Sequence, residues 1–369
     1  MIETLPVEEA ICRYFGRRFC FLVGHGSTAI HLALKAIEQK AGRGEMILPT
    51  VACASLSQIA SYAGFTPVFA DVRAADLTLS AESFRSRITK DTRAVLPIHI
   101  YGHPAPMMEI GRIAANHGVF VIEDAAQSVG GLCSGRKMGS LGDFSILSFG
   151  GGKILQAGCG GALLTDNPEF VPPIREEMAR LPDYPRSIEY DLRCLSWRNH
   201  YHAAMDLLRT DPGLRVDPMF RAALPFYRHL SLHKFPDDEK VLETIIRGLE
   251  TLDVENVLRI ERAERYHAVL SDCQDDLALF DTWRNSRVLW RYTFLVKDPA
   301  RLLAVTQALR ENGIHASNHY WSVADLLYGE KDHPNTAYVC PRLLNLWVDE
   351  AATECYIQTS GDVIRKSLR

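Results

Sequence analysis

The chain has 369 residues, with 41 basic and 45 acidic side chains and a formal net charge of −4. This length suggests about two domains of ~150 residues, and a hydrophobic content of 47% suits a globular protein with a sizeable core. The near-neutral charge balance argues against nucleic acid or an anionic membrane as a partner. Disorder, collagen and small disulfide scaffolds are excluded by the same composition.

The nine cysteines are odd in number, and no two have C-x-x-C spacing. A reducing compartment is the simpler interpretation, with most of them acting as small buried hydrophobic residues. Charged residues interrupt every apolar run near the start of the chain, so no signal peptide is predicted. No stretch approaches the ~20 apolar residues that span a bilayer. We therefore expect a cytoplasmic protein that has no membrane partner.

The first half of the chain alternates between short apolar runs and amphipathic stretches. Fully apolar strands separated by helices are typical of a parallel sheet covered on both faces. We therefore expect an α/β domain with a mostly parallel, seven-stranded sheet. The predicted strands are residues 19–23, 46–49, 67–71, 94–98, 119–123, 144–149 and 161–165, and the predicted helices include 28–39, 55–63 and 107–117.

The second half has a different character. Proline-rich, partly helical sequence over residues 170–245 leads into a long helix predicted from about residue 239 to 268. We expect the rest to form a smaller α+β domain and divide the chain into residues 1–250 and 251–369. Its predicted elements are a strand at 290–296, a helix at 299–312 and a terminal helix at 355–366.

The run Gly24-His25-Gly26-Ser27-Thr28-Ala29 follows a predicted strand and opens a predicted helix. Its spacing is that of a dinucleotide fingerprint, but the acidic residue required after the next strand is replaced by Pro49-Thr50. A nicotinamide oxidoreductase is therefore a minor alternative. Small residues and free N–H groups at a helix N-terminus also suit a phosphate. Taken alone, a tight turn capped by Ser27 or Thr28 is the better interpretation.

Two carboxylates, Glu123 and Asp124, end a strand that should be central and buried. Ligands of open α/β sheets bind beyond the carboxyl ends of the strands, so Asp124 is predicted to point towards a ligand. A buried carboxylate also needs a cationic partner. Without further context, a helix-capping acid at a strand–helix junction explains Asp124 equally well.

Residues 148–153 place a serine, three glycines and a lysine at the end of an apolar strand. Glycine allows close approach to a ligand, and a desolvated amine there can form a Schiff base. The run is not a G-x-x-x-x-G-K-[ST] loop, because Ile154 follows Lys153. A phosphate site that Ser27 and Ser148 could serve, a buried carboxylate and an activated lysine together are what pyridoxal phosphate requires.

Several stretches, in this order and at this spacing, resemble the DegT/DnrJ/EryC1/StrS family of nucleotide-sugar aminotransferases. The resemblance is dense over residues 20–165 and patchy beyond. It implies a PLP-dependent, type I (aspartate aminotransferase-like) fold and a homodimer with the active site at the subunit boundary. It also implies amino transfer from glutamate or glutamine to a nucleotide-linked keto-sugar. The matching stretches are residues 26–34, 45–50, 64–72, 99–102, 124–127, 142–143 and 148–153.

Carried over residue by residue, the resemblance makes Lys153 the Schiff-base lysine and pairs Asp124 with the pyridine nitrogen. It places Gln127 against the phenolic oxygen of the ring. Sugar dehydratases of the family replace the lysine with histidine, so Lys153 favours amino transfer over dehydration. The residues implied to bind the cofactor phosphate are Gly26, Ser27 and Ser148.

The sequence departs from the family pattern in three places. Cys53 stands where the family usually stacks an aromatic ring or a histidine on the cofactor, and Lys234 and Pro236 stand in place of an Asn-x-Arg motif. Residues 170–235 match no shared pattern, so no substrate contact is transferred to them. A non-catalytic or regulatory cofactor-binding homologue therefore stays open, as does a lyase or racemase on the same fold.

Two further groups of residues resemble parts of the family pattern. His319 and Tyr320 resemble a segment that returns to the active site and are candidates for binding the nucleotide-linked sugar, although a tyrosine buried at a domain junction is an equal alternative. Asn345-Leu346-Trp347 resembles a late turn of the family and is interpreted as packing. No metal site is predicted, because the two histidines of His200-Tyr201-His202 would point to different sides of a helix.

Overall fold

The large sheet is the main feature of the computed structural model, which describes residues 6–211, 214, 218, 222, 224–318 and 320–369. Its seven strands are β1 (Phe19–Val23), β2 (Glu45–Pro49), β3 (Thr66–Ala70), β4 (Thr92–Val95), β5 (Phe120–Asp124), β8 (Phe144–Ser148) and β9 (Gly161–Thr165). A short hairpin of β6 (Leu132–Cys133) and β7 (Arg136–Lys137) lies between β5 and β8 along the chain.

The strand order in this sheet is β1-β9-β8-β5-β4-β2-β3. The strands β3, β2, β4, β5 and β8 pair in parallel, whereas β9 is antiparallel to both of its neighbours. The predicted mostly parallel, seven-stranded sheet is therefore confirmed. Because β5 and β8 are parallel neighbours, with Asp124 opposite Ile146, Asp124 and Ser148 end at the same edge of the sheet.

Helices cover both faces of the large sheet. In α2 the buried residues Ile30, Ala33, Leu34 and Ile37 recur at helical spacing, which places one apolar face against the strands. Among the described residues, no helix has the length and apolar character needed to cross a bilayer. The helices are α1 (Pro6–Phe15), α2 (Gly26–Ala41), α3 (Ala54–Tyr62), α4 (Ala81–Arg87), α5 (Met107–His117), α6 (Val171–Arg180), α7 (Ile188–Thr210), α8 (Leu224–Ser231), α9 (Glu239–Leu270), α10 (Leu302–Glu311), α11 (Val323–Tyr328), α12 (Pro334–Val339) and α13 (Glu354–Leu368).

A second, antiparallel sheet has the order β10-β11-β13-β12. Its strands are β10 (Leu277–Leu279), β11 (Arg291–Val296), β12 (Ala316–Ser317) and β13 (Leu343–Trp347). The segment interpreted as a turn at residues 345–347 is thus part of a strand, paired with β11.

The long helix α9 connects the two cores. Its first half places Leu249 and Leu252 in the core beneath the large sheet, and its second half places Tyr266 and Leu270 in the core of the second sheet. The predicted division at residue 250 falls inside this continuous helix, and it stays a prediction.

Candidate active site

A cavity of about 710 Å³ lies beyond the carboxyl ends of the large sheet. Its walls come from both sheets: Ser27 and Cys53 follow β1 and β2, while Arg291 and Trp347 belong to the second sheet. This location is the one expected for ligands of an open α/β sheet. Of the residues predicted from the sequence to form the site, Ser27, Cys53 and Tyr320 line this cavity.

Gly26 and Ser148 lie close to each other, next to Ser27 of the cavity wall. A Cβ atom added to Gly26 would lie 3.4 Å from the Cβ of Ser148 and 3.5 Å from the carbonyl oxygen of Leu147. Glycine therefore keeps open a small space between the start of α2 and the end of β8. The N-cap residue of α2 is His25, whose side chain makes no capping hydrogen bond. The helix thus presents its first N–H groups beside that space.

The capping role considered for Ser27 and Thr28 is wrong, because both lie inside α2. The hydroxyl of Thr28 instead donates to the carbonyl of Ser231 at 2.6 Å. The Oγ of Ser27 lies 3.4 Å from the hydroxyl of Tyr227, and both residues line the cavity. Ser27 is therefore available at the cavity wall, whereas Thr28 is committed to the fold.

Asp124 is 6% exposed at the end of β5. Its Oδ1 accepts a hydrogen bond from the backbone N–H of Ala126 at 2.9 Å. Burial raises the pKa of Asp124, while this hydrogen bond and the charge of Lys153 oppose the increase. In the part of the chain that the structure describes, no basic side chain forms an ion pair with Asp124, and the charge of Lys153 offsets only part of the effect of its burial.

Lys153 lies in the glycine-rich turn after β8. Its Nζ is 5.0 Å from the centroid of the Trp290 ring, and the indole N–H of Trp290 donates to the carbonyl of Gly152 at 2.7 Å. Burial lowers the pKa of the Lys153 ammonium, and the carboxylate of Asp124 partly offsets this effect. A larger fraction of neutral amine, which is the nucleophilic and basic form, follows from this burial.

Gln127 connects two aromatic residues of the cavity. Its Oε1 accepts a hydrogen bond from the backbone N–H of Tyr101 at 2.8 Å, and its Nε2 donates to the hydroxyl of Tyr320 at 3.2 Å. Tyr101 has a φ of 56°, in the left-handed region that is costly for a residue with a side chain. The amide of Gln127 thus holds a strained residue of the cavity wall and retains one N–H for a ligand.

The other predicted residues are placed as follows. Cys53 is exposed at the cavity wall, and its Sγ accepts a hydrogen bond from the Ser55 hydroxyl at 3.0 Å. Tyr320 also lines the cavity. His319 lies outside the described residues, so its candidate role stays a prediction.

Sequence reasoning missed two walls of the cavity. The first contains Arg291 and Trp347 of the second sheet and Trp290, which immediately precedes β11; the sequence interpretation of Trp347 was packing alone. The second is one face of α7, in the segment to which no contact was assigned. Spacing of three and four residues along α7 was a signal that could have identified this face. The α7 residues that line the cavity are Cys194, Trp197, Arg198, Tyr201 and His202.

Comparison with solved structures defines the fold class. PseC, an aminotransferase of Helicobacter pylori involved in pseudoaminic acid biosynthesis, matches with a TM-score of 0.78, at 15% identity over 98% of this chain and 90% of that chain. DesV of S. venezuelae matches with a TM-score of 0.76, at 23% identity over 98% of this chain and 88% of that chain. The fold is therefore the type I fold of PLP-dependent aminotransferases, as predicted.

The family follows from the sequence comparison. The model of the DegT/DnrJ/EryC1/StrS aminotransferase family matches residues 3–180 and 244–360, and the chain belongs to this family. The chain is also 36% identical, over 168 residues, to a GDP-perosamine synthase of Caulobacter vibrioides. That alignment covers 46% of this chain and 45% of the relative, so it spans less than half of either protein. The segment that contains α7 lies outside the family match.

Proposed function

We propose that this chain is a pyridoxal-phosphate-dependent aminotransferase that transfers an amino group from glutamate or glutamine to a nucleotide-linked keto-sugar. One observation carries this proposal: the buried Asp124 ends β5, and Lys153 follows the parallel neighbour β8, at the edge of the sheet where Gly26 and Ser148 leave a small open space. The Caulobacter relative is a GDP-perosamine synthase, which supports a nucleotide-linked sugar as the substrate class.

The residues present fit the proposed cofactor. The space beside Gly26, next to Ser27 and the start of α2, suits the phosphate group. The buried carboxylate of Asp124, which no basic residue among those described pairs with, suits a protonated pyridine nitrogen. The amine of Lys153 suits the aldehyde. When bound, pyridoxal phosphate supplies an electron sink for negative charge that develops on the amino donor.

The protein's own groups then have separate tasks. Lys153 takes up and releases a proton at Nζ, because its burial favours the neutral amine that acts as a base. Asp124 would hold a proton on the pyridine nitrogen of the bound cofactor. Tyr101 and Trp290, whose rings are stacked with centroids 6.0 Å apart, exclude water from that part of the cavity.

The proposal extends to the setting of the enzyme. Its homodimeric state rests on the family resemblance. Its cytoplasmic location is supported by the nine cysteines, all of which are free thiols, as expected in a reducing compartment.

Absorbance spectroscopy of the purified protein, loaded with pyridoxal phosphate, tests the function. We expect near-visible absorbance that L-glutamate bleaches and that one member of a panel of GDP-, UDP- and dTDP-linked keto-sugars restores. If the protein binds the cofactor but no amino donor bleaches its absorbance, it is the non-catalytic homologue. Bleaching followed by release of a product other than an amino sugar would indicate a lyase or racemase.

A further inference from the structure

His333, in the loop between α11 and α12, is a buried histidine whose ring makes no hydrogen bond. It is 2% exposed, and within the described residues neither its Nδ1 nor its Nε2 has a hydrogen-bond partner. Leaving a buried polar group unpaired costs free energy, and most buried polar atoms of native proteins have a partner. The ring therefore offers a nitrogen lone pair to a ligand from outside the chain.

Two carboxylates of the same loop face this ring. The Nε2 of His333 lies 3.6 Å from the Oδ1 of Asp332 and 3.9 Å from the Oε2 of Glu330. Both distances are too long for a hydrogen bond. One ligand atom from each of the three residues lies within 4.8 Å of the other two. The three side chains thus surround one small volume, with the nitrogen on its buried side and the two exposed carboxylates on its outer side.

The spacing of these atoms suits a metal ion. A tetrahedral Zn²⁺ ion bound at ~2.0–2.2 Å holds neighbouring ligand atoms about 3.3–3.6 Å apart. The distances from Nε2 lie at or slightly above this range, and the exposed carboxylates can rotate to shorten them. Imidazole is a ligand for Zn²⁺ and other transition metals, whereas Mg²⁺ and Ca²⁺ prefer sites made of oxygen atoms alone.

Two basic residues border this group of ligands. The Nη2 of Arg87, at the end of α4, donates to the Oδ2 of Asp332 at 2.9 Å. The other oxygen of that carboxylate, Oδ1, is the one that faces His333. The Nζ of Lys331 lies 3.9 Å from the Oδ1 of Asp325 in α11. Arg87 therefore orients a metal-binding carboxylate in the way that outer partners of metal ligands do.

We propose that Glu330, Asp332 and His333 bind a Zn²⁺ ion, with water completing its coordination. The two carboxylates balance the charge of the ion, and the ion gives the buried imidazole the partner that it lacks. This site departs from the sequence analysis, which predicted no metal site. It does not depend on the proposed function, because the loop is separate from the cavity that contains Cys53 and Tyr320.

The ion would fix the connection between two helices that pack on the large sheet. The backbone N–H of Val323, at the start of α11, donates to the carbonyl of Thr50 at 2.8 Å. The backbone N–H of Thr336, in α12, donates to the Oδ1 of Asp71 at 3.0 Å. Thr50 and Asp71 directly follow β2 and β3. A Zn²⁺ ion in the loop therefore holds both helices against the carboxyl ends of these strands, which is a stabilising role.

Zn²⁺ binding by the untagged, cofactor-loaded protein tests the proposal. Competition with a chromogenic chelator at pH 7, under reducing conditions, should give one more Zn²⁺ ion per chain in the wild-type protein than in His333→Gln or Glu330→Gln. Zn²⁺ at about 100 times its Kd should raise the Tm of the wild-type protein by about 3 °C and leave both variants unchanged. His117→Gln, at the exposed end of α5, is the matched control and should bind as the wild-type protein does.

The two variants protect the test against a failure to fold. Glu330 is 44% exposed, so Glu330→Gln should fold even if the loss of a buried ring unfolds His333→Gln, and circular dichroism measures the fold of each. Equal Zn²⁺ binding by the wild-type protein and a folded variant would overturn the proposal. Binding of Ca²⁺ in preference to Zn²⁺ would also overturn it, because the imidazole would then not be a ligand.

Discussion

Glu123 and Asp124 are consecutive residues of β5, yet their carboxylates lie in opposite kinds of environment. Although burial raises the pKa of Glu123, a hydrogen bond with His99 and further donors bring it below its usual value. Burial also raises the pKa of Asp124, but fewer contacts oppose this increase than oppose it at Glu123. Successive side chains of a strand point to opposite faces, so one carboxylate serves the fold and its neighbour faces the site. The donors to Glu123 are His99, the N–H groups of Gly139, Leu141 and Gly142, and the hydroxyl of Ser145.

This contrast predicts different outcomes for two conservative substitutions. Glu123→Gln should lower the free energy of unfolding by about 3 kcal/mol, because a buried network loses its charged acceptor. Asp124→Asn should leave that free energy nearly unchanged and lower the turnover rate by several orders of magnitude. Urea denaturation and amino-transfer assays of both variants measure the two quantities. A wild-type rate in Asp124→Asn would contradict the role assigned to this carboxylate.

Lys153→Ala should abolish both turnover and the near-visible absorbance of the cofactor-loaded protein. Loss of a catalytic base alone costs about 10²–10⁴-fold in rate. Lys137→Ala is a matched control, because the Nζ of Lys137 lies over the Tyr14 ring at 3.1 Å and Lys137 does not line the cavity. Full activity in Lys153→Ala would remove the basis of the proposed function.

Cys53 should be protected from alkylation when pyridoxal phosphate is bound, because its thiol lines the cavity. Cys355 is also exposed and lies on α13, away from the cavity, so it serves as an internal control. Iodoacetamide labelling followed by peptide mass spectrometry, with and without cofactor, gives both labelling rates. If the cofactor protects both thiols equally, or protects neither of them, the result would argue against cofactor binding beside Cys53.

The cavity face of α7 should contribute to binding of the nucleotide-linked sugar. Trp197→Ala should weaken binding of the sugar nucleotide about 10-fold, because a large aromatic contact surface is lost. Bleaching by glutamate should be unaffected. Leu192→Ala, on the exposed side of the same helix, is the control. Loss of the glutamate response in Trp197→Ala would show that α7 supports the fold of the site instead.

His103 should make the protein less stable in mild acid. It is fully buried, with its Nδ1 2.7 Å from the Thr282 hydroxyl, and burial lowers its pKa to about 3. The unfolded chain takes up a proton near pH 6.5 and the folded chain does not. Stability is therefore complete above pH 6.5 and falls by about 2 kcal/mol per such histidine on lowering the pH to 5.

Urea denaturation at pH 7 and pH 5 measures this difference. His103→Gln should reduce the loss between the two pH values, whereas His117→Gln, at the exposed end of α5, should not. Burial also lowers the pKa of His25 and of His233 to about 4, so part of the loss should persist in His103→Gln. An identical loss in His103→Gln would contradict the prediction.

Much of the large sheet and one wall of the site could be predicted from the sequence. Each strand of the sheet is a short apolar run, and alternation with helices implies parallel pairing. Parallel strands end at a common edge, so the residues that follow them, such as Asp124 and Lys153, are brought near one another without knowledge of the tertiary structure.

The opposite wall depended on the tertiary structure. Arg291 and Trp347 belong to a second sheet far along the chain, which Trp290 immediately precedes, and α7 lies in a segment without a family pattern. Residue types and their spacing determine local hydrogen bonding and which side of an element is apolar. Which elements then face each other, and whether a cation such as Arg291 is left buried in a shared cavity, depends on packing among residues that are distant in sequence.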